Sequence, residues 1–282
     1  MNRGRCAQGE DHCGEQSSAW SSDKPGAVHL SSPRMIKAAI QRFLNARGFD
    51  VVRRATSFSP QELAAMEKVK GLTATGPGRM VGLIDAVKHI SANRIEGAFV
   101  ECGVWRGGSS MLAALTLIEL GDTHRDLLLF DTFEGMSPPT DKDVTFDGTK
   151  AQDLLDTSER HEELDNYWCI GSVENVQRNM LSTGYPKGKV HLIKGKVEDT
   201  IPQHAPERIA LLRLDTDWYE STRHELEHLY PRLAPNGVLI IDDYGHWVGA
   251  KQAVDEYFAT QKLKPFLSRL DYTGRLVIKP AG

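Results

Sequence analysis

Cysteine is scarce and scattered in this 282-residue chain: Cys6, Cys13, Cys102 and Cys169 show no CxxC spacing. That excludes a disulfide framework and a thiolate zinc site, and it fits a reducing cytoplasm. His12 beside Cys13, in a polar stretch, reads as two solvated residues rather than a metal pair. Long apolar runs are missing as well. No stretch approaches the roughly 18 residues of a membrane span, and no apolar run follows Arg3 and Arg5 as an export signal requires. Neither sign of charge dominates, with 34 Lys and Arg against 38 Asp and Glu and a net charge of −4. The chain therefore has no field to recruit nucleic acid or an anionic membrane, and small molecules are its default partners. A homo-oligomer is compatible with all of these counts.

With 40% hydrophobic and 26% charged residues the composition is that of an ordinary globular protein, and the length suits one large domain with a decorated N-terminus. Residues 1–33 are rich in glycine, serine and charge and lack apolar periodicity, so they are expected to be a disordered tail. Residues 34–95 carry the signals of cap helices. Met35, Ile36, Ile40, Phe43 and Leu44 recur at helical spacing. Ser59-Pro60-Gln61-Glu62 combines an N-cap serine, a first-turn proline and a glutamate placed for a capping box, opening a helix expected to run to about Lys70. After a glycine-marked loop, Met80, Leu83, Ile84, Val87 and Ile90 mark a third helix.

From residue 96 to 282 short apolar runs alternate with amphipathic stretches. The runs Ala98-Phe99-Val100, Leu127 to Phe130, Val190 to Ile193, Ile209 to Leu212 and Val238 to Ile241 suit strands of a parallel sheet buried on both faces. Helices expected at about 106–121, 172–182, 217–233 and 247–260 supply the crossovers. Phe266 to Leu270 and Arg275 to Ile278 flank a tight turn and read as an antiparallel hairpin at the sheet edge. The fold class is α/β: a doubly wound, mostly parallel, Rossmann-like sheet with a C-terminal hairpin. Residues 137–167 form an unusually long acidic insertion beside the ligand-binding rim, the place of a lid or of a mobile surface loop.

In such a sheet ligands sit at the carboxyl ends of the strands, and carboxylates crowd those ends here. Glu101 precedes Gly103-Val104-Trp105-Arg106-Gly107-Gly108, which is not a GxGxxG dinucleotide loop. An acidic residue there repels phosphate and suits the ammonium of an amino-acid moiety, which favours S-adenosylmethionine over NAD. Asp131 ends the second strand, where a carboxylate can accept ribose hydroxyls, with Glu134 close behind. A turn aspartate and a helix-start glutamate are the plainer reading of those two. Asp215, with Asp217 two residues on, and the pair Asp242-Asp243 follow two further strands. If those strands are close, the carboxylates converge and repel unless a hard cation such as magnesium is bound. A helix cap at Asp217 and a turn at Asp242 are the plainer alternatives. The candidate bases are Asp217, Tyr244 and His246, and spacing does not choose among them.

These segments resemble the macrocin O-methyltransferase family. The resemblance runs from about Leu72 to Phe258 and rests on Phe99-Val100-Glu101-Cys102-Gly103-Val104-Trp105-Arg106-Gly107-Gly108-Ser109, Phe130-Asp131-Thr132-Phe133-Glu134-Gly135-Met136, Glu198-Asp199-Thr200, Leu214-Asp215-Thr216-Asp217-Trp218-Tyr219 and Ile241-Asp242-Asp243-Tyr244-Gly245. It implies methyl transfer from S-adenosylmethionine to a sugar hydroxyl of an antibiotic-like molecule. It also implies a cofactor site formed by Glu101, Cys102, Gly103, Val104, Trp105, Asp131, Thr132, Phe133, Glu134 and Gly135, with Thr73 over the methionine end and Lys196 near the adenine. Asp215, Asp242 and Asp243 are then the magnesium ligands and Asp217 the base. Gly76-Pro77-Gly78-Arg79 departs from the family's Ser-Pro-Glu-Arg-like run. An NAD-dependent sugar-modifying oxidoreductase and a non-catalytic binding protein are the alternatives from other classes.

Overall fold

Alternation along the central strands places successive apolar side chains on opposite faces of one sheet, and helices cover both faces. A computed structural model of the chain describes residues 33–47, 58–162 and 166–281. The expected tail lies almost wholly outside the described residues, although its last position, Pro33, opens α1 (Pro33–Asn45). That helix belongs to a separate unit formed by residues 1–56.

The second unit opens with α2 (Pro60–Lys68), whose capping box is formed as expected. Glu62 N donates to Ser59 Oγ at 3.1 Å, and Ser59 N donates to Glu62 Oε2 at 2.6 Å. α3 (Pro77–Ala92) starts three residues before its first apolar position, because Pro77 is preset for a first helical turn. Then follow β1 (Ala98–Cys102), α4 (Gly108–Glu119), β2 (Leu127–Asp131), α5 (Ala151–Asp156), α6 (Val173–Leu181), β3 (Val190–Lys194), α7 (Val197–Thr200), β4 (Ile209–Leu214), α8 (Tyr219–Leu229), β5 (Leu233–Ile241), α9 (Val248–Thr260), β6 (Ser268–Arg269) and β7 (Arg275–Ile278).

The seven strands lie in the order β3-β2-β1-β4-β5-β7-β6. β1 to β5 pair in parallel, and β7 runs antiparallel between β5 and β6. On one face Phe99, Leu129, Leu211 and Ile240 pack with Leu83 and Ile84 of α3, Met111 and Leu112 of α4, and Met180 of α6. On the other face Val100, Phe130, Leu212, Leu214 and Ile241 pack with Leu226 of α8 and Val254 and Phe258 of α9. The expected strand from Phe266 to Leu270 shortens to two residues, and Phe266 stands exposed. Among the described residues no helix is long and apolar enough to cross a membrane.

The long insertion is tied to this body at several points. Asp143 is buried, and its Oδ1 accepts from Tyr219 N at 2.8 Å at the start of α8, while its Oδ2 accepts from Thr140 N at 2.7 Å. Thr145 forms an isolated antiparallel bridge with Trp247, and Trp218 Nε1 donates to Ser137 O at 2.9 Å. The short helix α5 buries Ala151 and Leu155 in a third cluster with Trp218, Trp247 and Ala250. Residues 163–165 of the insertion lie outside the described residues.

Candidate active site

The strand order reverses between β1 and β4, and the loops leaving their carboxyl ends part there, as expected at a topological switch point. The loop after β1 must turn close against β4. Gly103 has φ +81°, and a Cβ at that position would lie 1.9 Å from Asp215 O, so only glycine fits. Non-glycine residues near the same rim also adopt left-handed backbone: Trp105 at φ 49°, Phe133 at 55°, Cys169 at 46° and Asp217 at 66°. Such strain persists where surrounding structure overrides it, and it gathers at functional sites.

Asp131 holds two of these loops together. Its Oδ2 accepts from Val104 N at 2.6 Å and Trp105 N at 3.1 Å, and its Oδ1 accepts from Phe133 N at 2.6 Å. Burial pushes its carboxyl above the usual range, opposed by those three N–H groups. Across the opening, Thr73 Oγ1 and Thr75 Oγ1 lie 3.0 and 3.2 Å from Ser109 Oγ, which fixes the segment before α3 over α4.

These groups enclose a cavity with about 1030 Å³ of empty space, part of it open to solvent. Of the cofactor residues expected from the sequence, Thr73, Gly103, Val104, Trp105, Asp131, Thr132, Gly135 and Lys196 line it. The other four point elsewhere. Glu101 lies fully buried beneath the loop, bonded by Ser110 Oγ and by Arg213 Nη1 at 2.6 Å. Cys102 faces the opposite side of the sheet, and Phe133 is part of the apolar core. Glu134 is exposed and pairs with Lys194 at 2.6 Å.

The other side of the cavity is acidic: Asp215, Asp217, Asp242 and Asp243 all line it. Parallel pairing of β4 with β5 places Leu214 opposite Ile241, so the residues that follow them meet at one rim. Two arginines are set among the carboxylates. Arg213 Nη1 lies 2.8 Å from Asp215 Oδ2, and its Nη2 donates to Thr75 Oγ1 at 2.9 Å. Arg79 contacts Asp242 Oδ2 and, through Nε at 3.0 Å, Asp271 Oδ2. Asp242 Oδ1 lies 3.0 Å from Arg213 Nη2 but out of line for a hydrogen bond, and it is buried without another partner. Asp217 N donates to Asp243 Oδ2 at 3.1 Å, and Trp247 Nε1 donates to Asp217 Oδ1 at 2.6 Å.

Loss of hydration, with the charges of Asp242 and Asp243 adding to it, raises the Asp215 carboxyl well above its ordinary range against the pull of Arg213. The same loss, with Asp217 and Asp242 adding, raises Asp243. Asp217 is pushed up to about 7, by burial first and by the Asp215 charge second. Such crowding of like charges is what a bound cation relieves. Among the described residues, however, no three His, Cys, Asp or Glu side chains stand close enough together to grip a metal ion as they lie, and guanidinia pair with Asp215 and Asp242 instead. The alternative bases lie apart from the cavity lining: Tyr244 donates to Asp255 Oδ1 at 2.7 Å, and His246 Nδ1 lies 3.3 Å from Tyr272 Oη.

Arg213 and Thr75 lie outside every quoted motif, Ser109 stands at the end of the motif that begins at Phe99 without a role of its own, and Arg79 belongs to a divergent stretch. A charged residue inside the apolar run Ile209-Ala210-Leu211-Leu212-Arg213-Leu214 was the available signal for Arg213, since arginine is buried only where it is paired.

This sheet order, with an antiparallel seventh strand and a cavity at the switch point, defines a class I methyltransferase fold. Among solved structures, that of the O-methyltransferase NovP superposes with a TM-score of 0.64 at 31% identity, covering 74% of this chain and 82% of that one. A family model described as macrocin-O-methyltransferase (TylF) matches residues 29–278. The chain is 35% identical over 202 residues to 8-demethyl-8-(2,3-dimethoxy-alpha-L-rhamnosyl)-tetracenomycin-C 4'-O-methyltransferase of Streptomyces olivaceus, covering 72% of this chain and 73% of that protein. It is 32% identical over 202 residues to demethyldecarbamoylnovobiocin O-methyltransferase of Streptomyces niveus, with the same two coverages. The chain belongs to the macrocin O-methyltransferase family and is an O-methyltransferase, which removes the NAD-dependent oxidoreductase from consideration.

Proposed function

We propose that this enzyme moves the methyl group of S-adenosylmethionine to a hydroxyl of a sugar-bearing natural product, and that it does so with magnesium. The observation that carries this reading is the placement of four carboxylates on one side of the cavity whose other side is built by the loops after β1 and β2. Thr73, Gly103, Val104, Trp105, Asp131, Thr132, Gly135 and Lys196 are the cavity groups available to the cofactor, with Glu101 as support from below. The names of the two relatives give the acceptor class, since one is named for a rhamnosyl tetracenomycin and the other for a novobiocin precursor.

Oxygen-only donors in excess over the two guanidinia, and a buried Asp242 Oδ1 that has an ion-pair neighbour but no hydrogen bond, fit a hard divalent cation. Asp215, Asp242 and Asp243 would hold it, and it would take over the neutralisation that Arg79 and Arg213 now provide. Bound there, magnesium makes an acceptor hydroxyl more acidic and fixes its direction. Trp247 orients Asp217 through Oδ1, and the Asp217 carboxylate, which also meets that of Asp243, would hold the proton given up by the acceptor hydroxyl. In this reading the insertion after β2 covers the acceptor side, anchored to the body at Ser137, Asp143 and Thr145. The enzyme works in the cytoplasm, where Cys102 and Cys169 remain thiols. Transfer of labelled methyl to a panel of glycosylated natural products, with and without a chelator, tests it. Transfer that depends on the sugar and on metal is the expected result, and transfer indifferent to a strong chelator removes the metal.

A further inference from the structure

Just outside the acidic side of the cavity stands a group of aromatic rings that the chemistry above does not use. Phe146 and Tyr272 are 66% and 62% exposed, high values for large rings. Their centroids lie 6.4 Å apart at 70°, and the His246 ring lies 5.9 Å from Phe146 and 6.1 Å from Tyr272. The three rings come from three segments: the long insertion, the β6–β7 turn and the loop after β5.

Each segment is fastened to the stretch that carries Asp242 and Asp243. Phe146 N donates to His246 O at 2.8 Å. Gly245 N donates to Thr273 O at 2.9 Å, and Thr273 Oγ1 donates to Asp242 O at 2.6 Å. His246 N and Trp247 N each donate to Asp243 O at 3.0 Å, and Trp247 in turn holds Asp217. The backbone that carries the rings is therefore fastened to the site, while the rings of Phe146 and Tyr272 face water. Exposed apolar groups gathered and fixed in this way mark a binding surface.

We propose that Phe146 and Tyr272 form a stacking subsite for the acceptor's apolar ring system beyond the sugar that is methylated. This rests on the sugar-acceptor reading above. The reacting hydroxyl must reach Asp217, which Trp247 holds, and the His246 ring lies 4.9 Å from that of Trp247, so a group attached to the sugar and directed along these rings meets the two exposed ones. Flat apolar rings stack on aromatic faces in offset or edge geometry. A second copy of the chain is the poorer occupant. Two rings cover about 150–250 Å² each, well short of the roughly 800 Å² per partner of a stable dimer.

The test uses the full chain saturated with S-adenosylhomocysteine, and compares p-nitrophenyl α-L-rhamnoside with methyl α-L-rhamnoside by calorimetry. The wild type should bind the aryl glycoside about tenfold more tightly, the size expected for one or two aromatic contacts. Phe146→Ala combined with Tyr272→Ala should abolish that preference, and Tyr272→Phe should keep it. Circular dichroism and the affinity for S-adenosylhomocysteine should stay at wild-type values in these variants. An equal affinity for the two glycosides in the wild type, including no binding of either, overturns the subsite. So does a preference that survives the double substitution, or a dimer that the double substitution dissolves in sedimentation. A wild type that binds no S-adenosylhomocysteine overturns the proposed function instead.

Discussion

Arg213 Nη1 lies 2.6 Å from Glu101 Oε1 across neighbouring strands, and both side chains are closed off from solvent. Burial raises the Glu101 carboxyl, and the arginine and Ser110 pull it back. This pair sits under the cavity and shares its arginine with Asp215 and Asp242. Glu101→Gln should therefore cost stability, by roughly 1.5–3 kcal/mol for a lost charge-assisted hydrogen bond. Urea unfolding should show the loss, with the affinity for S-adenosylhomocysteine reduced only a few-fold. Normal stability combined with a collapsed affinity would return Glu101 to direct cofactor contact.

Asp217 and Asp243 line the same cavity but should fail in different ways. Asp217→Asn should lower turnover by about 10²–10⁴-fold, the range for a lost general base, with cofactor and metal affinity retained. Asp243→Asn should raise the magnesium concentration needed for turnover and recover in part at excess metal. Metal titrations of both variants, read by calorimetry and by rate, separate the roles. Rescue of Asp217→Asn by magnesium would exchange them.

Asp143 ties the long insertion to the first turn of α8, and no space surrounds it, since a Cβ on Gly249 would lie 2.4 Å from its Oδ1. Asp143→Ala should cost about 1–2 kcal/mol, as lost caps do. It should also speed proteolysis between residues 137 and 150. Equal cleavage rates for variant and wild type would mean that the backbone bridges alone hold the segment.

Asp122 supplies a pH dependence of stability. Burial opposes its ionisation, but hydrogen bonds from Ser91 Oγ at 2.6 Å and Arg125 Nε at 2.7 Å win and hold its carboxyl below the usual range. A depressed carboxylate contributes stability that is present above its unfolded pKa, about 3.9, and is lost as pH falls through the lower folded value. Asp122→Asn should be less stable than wild type at pH 7 by roughly 1.5–3 kcal/mol. The gap should narrow below about pH 4, where the wild type begins to lose the same interaction. A gap that stays constant from pH 7 to pH 3 would assign the cost to packing.

Local chemistry made much of the framework legible. The capping box at Ser59 and Glu62 is formed by residues three apart, so it does not depend on the rest of the fold. Strands such as Ile209 to Leu214 announce burial on both faces because every residue must find an apolar layer. Helix α5 was not legible, because six residues with two buried side chains carry little periodicity and are held by Trp218 and Trp247 from distant segments.

The order of residues alone determined that carboxylates follow β4 and β5, since in a parallel sheet every strand's carboxyl end faces the same rim. It could not determine which neighbours those carboxylates meet. Glu101 was placed correctly at the end of β1, yet side chains alternate along a strand, and which face looks into the cavity depends on what packs there. Ser110 of α4 and Arg213 of β4, 9 and 112 residues away, claim that side chain, and Arg79 of α3 comes to Asp242 from 163 residues away. Charges separated so far in sequence are brought together only by the packing of helices on the sheet, so the electrostatic state of the site was a matter for the tertiary structure.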